Sequence, residues 1–83
     1  MAQFKVTNPL AKPVRSMVLD SSDINFDRLV LEACGGGMSE QSTSKAMAAR
    51  QELLELPNGG KLTLKCGSIQ LEFERMIKVK PIN

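Results

Sequence analysis

Residues 69 to 79, Ile-Gln-Leu-Glu-Phe-Glu-Arg-Met-Ile-Lys-Val, constrain the fold of this chain more than any other segment. Ile69, Leu71, Phe73, Ile77 and Val79 share one parity, while Gln70, Glu72, Glu74, Lys78 and Lys80 share the other. Successive side chains of a strand point to opposite faces, so a period of two means one buried face and one wet face. Such a segment demands a sheet with apolar material laid against one side. It says much about architecture and little about chemistry.

The rest of the chain supplies the partners for that strand. Ala2 to Thr7 alternates in the same way, with Phe4 and Val6 inward, until Asn8-Pro9 and Lys12-Pro13 break it. Val14 to Leu19 is a second, shorter strand whose register Val18-Leu19 leaves open. Asp20-Ser21-Ser22-Asp23 then offers oxygen acceptors for the free N–H groups of a first helical turn. Phe26, Leu29, Val30, Ala33 and Cys34 follow at helical spacing, and Gly35 supplies a stop. A strand over residues 28–33 is the competing reading, because Leu29 and Leu31 also alternate. A Gly/Ser-rich stretch precedes a second helix over residues 45–56, with Ala46, Ala49, Leu53 and Leu56 on one stripe. Pro57-Asn58-Gly59-Gly60 ends it. Lys61 to Cys66 is a strand with Leu62, Leu64 and Cys66 inward, and Gly67-Ser68 is the right length for a tight hairpin into the final strand.

The expected fold is therefore α+β: a small antiparallel sheet of about four strands in the order β-β-α-α-β-β, with two helices packed on one face. All 83 residues fit one domain. A chain this short buries only about 60–65% of its unfolded surface, a shortfall that oligomerisation commonly offsets.

Composition narrows function mostly by exclusion. The chain has no histidine, which removes the commonest general base near neutral pH and the commonest metal ligand. Its two cysteines, Cys34 and Cys66, are too few and too far apart for a four-cysteine zinc site, and a site of two cysteines and two histidines lacks its histidines. Cys34 at the end of a helix faces the negative end of the dipole, which disfavours a thiolate, and both cysteines read as reduced core residues. The expectation is a non-enzyme without metal or cofactor. The first eight residues are too short and polar for a signal-peptide core, and no apolar run reaches membrane-spanning length. That points to a cytoplasmic protein with no membrane partner.

Three candidate sites remain. Arg75 has the parity of Phe73 and Ile77, so it should point inward, yet a buried unpaired guanidinium is very costly. A bulge near residues 75–76, an acidic partner (Asp23, Asp27 or Glu32), or a strand that outruns its own core would each resolve the conflict. The last option makes Arg75, Met76, Ile77 and Val79 an intersubunit or partner interface. The second candidate is an anion-binding loop of Gly36, Gly37, Ser42, Ser44 and Lys45 at the start of the second helix. It lacks the second glycine directly before the lysine that a P-loop needs. The third is a basic sheet face. Both ends of the chain are basic and the middle is acidic, and the outward strand positions include Lys5, Lys61, Lys65, Lys78 and Lys80. No aromatic side chain interleaves them, so this face suits only weak, salt-sensitive nucleic-acid binding.

The functional expectation is a small binding protein acting as a homo-oligomer, or as an inhibitor or adaptor of a larger protein. A phage or mobile-element origin would suit such a role, though no residue points to one. Sequence-independent nucleic-acid binding, a structural assembly subunit and capture of a small anionic ligand are the alternatives.

Overall fold

The structure is a computed structural model that describes residues 2–36 and 40–77. It contains β1 (Gln3–Asn8), β2 (Arg15–Asp20), α1 (Ile24–Ala33), α2 (Glu40–Leu54), β3 (Lys61–Cys66) and β4 (Ile69–Arg75), an α+β fold in the expected order. The strands form one sheet in the spatial order β2-β1-β4-β3, with every neighbouring pair antiparallel. The first and last strands thus lie at the centre, and β2 and β3 form the edges.

Alternation decides which face the helices cover. Phe4 and Val6 of β1 and Leu71 and Phe73 of β4 are buried, while Lys5, Glu72 and Thr63 face outward. The registers Val6↔Phe73 and Leu62↔Phe73 place the apolar positions of three strands side by side. Gly67, with φ 58°, opens the two-residue hairpin between β3 and β4, as type II′ turns require.

The helical reading of residues 24–33 holds for the reasons the sequence offered. The Asp23 carboxylate accepts from the Asn25 N–H at 2.9 Å, which caps the first turn. Phe26, Val30 and Ala33 are buried along one stripe. Gly35 (φ 114°) and Gly36 (φ 84°) then turn the chain, and the Gly36 N–H closes the helix end on the Leu31 carbonyl at 2.9 Å.

α2 begins earlier than expected, at Glu40 rather than Lys45. Its serines and threonine favour caps and turns by intrinsic preference, but packing overrides that weak bias. Ser42 lies one turn before Ala46 on the buried stripe, directly under Gly35. A Cβ on Gly35 would fall 2.8 Å from the Ser42 Oγ, so the pair suits small residues on both sides. Ala46, Ala49 and Leu53 are buried as expected, and Leu56 is half-buried just past the helix.

The core is centred on three rings. Phe26 stacks on Phe4 at 5.0 Å and meets Phe73 edge-on at 6.0 Å. Phe4, Phe26, Phe73 and Leu53 have no exposed surface. α1 lies directly across the sheet, touching β2, β3 and β4, whereas α2 packs chiefly against α1.

Candidate functional site

Arg75 is neither displaced by a bulge nor paired with an acid. Pairing of β4 with β1 runs without a shift from Thr7↔Glu72 to Phe4↔Arg75, so no bulge intervenes. Asp27, one of the candidate acids, instead binds Arg50 at 2.7 Å. Nor does the main chain at Arg75 form a free edge. Its N–H donates to the Gly60 carbonyl, its C=O accepts from Gly59, and the Met76 N–H donates to the Gln3 carbonyl. The guanidinium meets the end of α2: Nη1 donates to the Leu54 carbonyl at 2.9 Å and the Leu56 carbonyl at 2.7 Å. The last carbonyls of a helix lack intrahelical partners and carry the negative end of its dipole, so a cation is the fitting cap. Arg75 thus caps the end of α2. Its neighbours Met76 and Ile77 are exposed beside a depression at the end of the sheet. Val79 lies outside the described residues.

The open sheet face is less basic than its lysines suggested. Among the described residues it presents Lys5, Lys61 and Lys65, but Asp20, Glu72 and Glu74 share that face. Glu74 lies directly between Lys5 and Lys61 in register, with Lys61 Nζ at 3.8 Å from its carboxylate. Three bases against three acids give no net field to hold a phosphate backbone. Asp20 reads from sequence as part of the helix-capping stretch, whereas it is the last residue of β2. Lys78 and Lys80 lie outside the described residues.

The proposed anion loop is partly a helix. Ser42, Ser44 and Lys45 belong to α2, and Gly36 sits in the turn after α1. Gly37 lies outside the described residues. Glu40 places a carboxylate in the first turn of α2, where a bound anion would have to lie. The corner does gather both thiols. Cys66 Sγ lies 3.8 Å from where a Gly35 Cβ would be, so it sits beside the turn that holds Cys34. Cys66 is exposed rather than core, because it ends an edge strand at the margin of the helical cover. Burial pushes the Cys34 thiol up, the nearby Cys66 adds to that, and Lys45 opposes both. The thiolate is the reactive form. Iodoacetamide near neutral pH is therefore expected to alkylate Cys66 severalfold faster than Cys34, and Lys45→Ala should slow Cys34 further. Peptide mass spectrometry of singly labelled protein measures both; equal rates would refute the burial argument. No group of three or more His, Cys, Asp or Glu among the described residues is placed to hold a metal.

A fourth feature escaped sequence reasoning. Where the β1–β2 hairpin projects past α1, an apolar groove of about 340 Å³ opens between Leu29 of α1 and the sheet residues Val6, Met17, Ile69 and Leu71. Leu10, Val14, Met17, Val18 and Ile69 are all 45–59% exposed. The signal was present in Val14, Met17 and Val18, three large apolar residues in a short strand, yet an unfixed register could not say which were covered. No helix among the described residues is long and apolar enough to cross a membrane. No protein-family model, curated protein or solved structure matches the chain.

Proposed function

We propose that this chain is a non-enzymatic protein-binding domain, acting by self-association or as an inhibitor or adaptor of a larger protein. The observation that carries this reading is the concentration of uncovered apolar side chains at the hairpin end. Met17 and Ile69 line a groove with Val6 and Leu71 and remain 51% and 45% exposed, and Leu10 and Val14 of the β1–β2 hairpin are more than half exposed as well. Single exposed apolar residues are ordinary, whereas a contiguous group beside an apolar groove marks a contact surface. Among the described residues the open face argues in the same direction, because it offers a nucleic acid neither net charge nor a stacking platform.

Light scattering of the purified chain, alone and after incubation with extract protein, provides the test. The expected result is a species heavier than the monomer that survives an increase in salt and is lost in the double variant Met17→Asp, Ile69→Asp, with circular dichroism unchanged. A strict monomer that retains nothing sinks the reading. Oligonucleotide binding that fades steeply with salt would replace it with sequence-independent nucleic-acid association.

A further inference from the structure

We propose that the partner is a second copy of this chain, joined by antiparallel pairing of the two β2 edges about a two-fold axis at Val18. This inference rests on the protein-binding reading and specifies its partner. The two four-stranded sheets would then become one continuous sheet.

The main-chain hydrogen bonds of the sheet decide which groups β2 offers. The Ser21 N–H donates to the Ala2 carbonyl at 2.8 Å, and the Met76 N–H donates to the Gln3 carbonyl at 2.9 Å. Neighbouring residues of a strand direct their main-chain groups to opposite sides. Ala2, Phe4, Val6 and Asn8 therefore face β2, and Gln3, Lys5 and Thr7 face β4. In the observed register Phe4 opposes Leu19, Val6 opposes Met17 and Asn8 opposes Arg15. Arg15, Met17 and Leu19 are thus bonded into the sheet, while Ser16 and Val18 direct N–H and C=O outward along its edge. A second strand can bond only to that set.

A two-fold axis at Val18 uses it. Each Val18 N–H meets the Val18 carbonyl of the other copy, and the Val18 side chains oppose each other on the open face. On the helix side the same axis sets Met17 against Leu19 of the second copy. Ser16 falls opposite Asp20 of the second copy, polar against polar. Apolar pairs directly opposite each other are the favourable unit of a sheet. Met17 and Val18 are 51% and 53% exposed on opposite faces of β2, so pairing would cover apolar surface on both faces.

The other edge shows the contrast. β3 directs Lys61, Thr63 and Lys65 outward, and a full-register two-fold about Thr63 would set Lys61 against Lys65 of the copy. Like charges directly opposite are unfavourable, and lysine is a common guard of sheet edges. β3 is guarded and β2 is not, so the chain can form a closed dimer without propagating into a fibre.

Sedimentation equilibrium and hydrogen exchange across a concentration series test the proposal together. The expected result is a monomer–dimer equilibrium in which the Ser16 and Val18 amides gain protection as concentration rises. The Met17 and Leu19 amides should be protected throughout. Val18→Lys sets two ammonium groups face to face and should weaken the dimer at least about tenfold, with circular dichroism preserved. Ser16 and Val18 amides that exchange freely at every concentration overturn the proposal. So does a dimer indifferent to Val18→Lys in a folded chain. A permanent monomer that still holds another protein through the groove at Met17 and Ile69 also overturns it, but leaves the protein-binding reading standing.

Discussion

Phe26→Ala is expected to remove most of the stability of this domain. The ring has no exposed surface and is the one that touches both other phenylalanines, at 5.0 Å and 6.0 Å. Truncating a buried phenylalanine costs about 3–5 kcal/mol, because the lost transfer energy is joined by a cavity that neighbours fill only in part. A domain of 83 residues has about 4–12 kcal/mol in all. The loss is thus comparable to the total at the lower end of that range. The thermal midpoint should fall by on the order of 20 °C. Phe26→Leu keeps most of the apolar volume and should cost about 1–2 kcal/mol. Met47→Ala, at a residue 70% exposed on α2, should change stability by less than about 0.5 kcal/mol. Urea unfolding followed by circular dichroism ranks the three. A Phe26→Ala cost near that of Met47→Ala would mean that the ring triad is not the centre of the core.

The reason Phe26 was legible as core, while other residues were not, lies in the range of the forces involved. Helical periodicity over residues 26–34, the acceptors before it and the glycine after it are all local, and each agreed with α1. The alternation of β1 and β4 was equally local, and their central places in the sheet kept it clean. The start of α2 was hidden because what extends the helix to Glu40 is the fit of Ser42 under Gly35, a contact between segments. The exposure of Cys66 follows from β3 being an edge, and strand order cannot be read from alternation. The charge balance of the open face depended on Asp20, whose side is fixed only by the pairing of β2 with β1. The apolar groove is a matter of what α1 fails to cover. For the candidate site, the sequence supplied the residue types, and cross-strand register supplied the side on which each one acts.

Arg75 carries the other large expected effect: parity placed it inward, as the structure has it, and its partners are main-chain carbonyls rather than an acid. Arg75→Met keeps the apolar stem but removes both hydrogen bonds, to the Leu54 carbonyl at the end of α2 and to the Leu56 carbonyl just past it. Hydrogen bonds to charged groups contribute about 1.5–3 kcal/mol, and the carbonyls lose a half-buried partner, so a cost of about 2–3 kcal/mol is expected. Both bonds leave one nitrogen, Nη1, so the ammonium of Arg75→Lys, on a shorter and more flexible stem, should recover about half of that loss. Arg50→Ala is the control: its ion pair with Asp27 is 41% and 53% exposed, and such pairs contribute about 0–1 kcal/mol. The location of the Arg75 effect is as informative as its size. Because α2 packs chiefly on α1, the two Arg75 hydrogen bonds tie the end of the helix to β4. Arg75→Met should therefore accelerate hydrogen exchange in the last turns of α2 more than in β1 or β4. Uniform acceleration across helix and sheet would show instead that Arg75 contributes only to global stability, and that the end of α2 is held by packing alone.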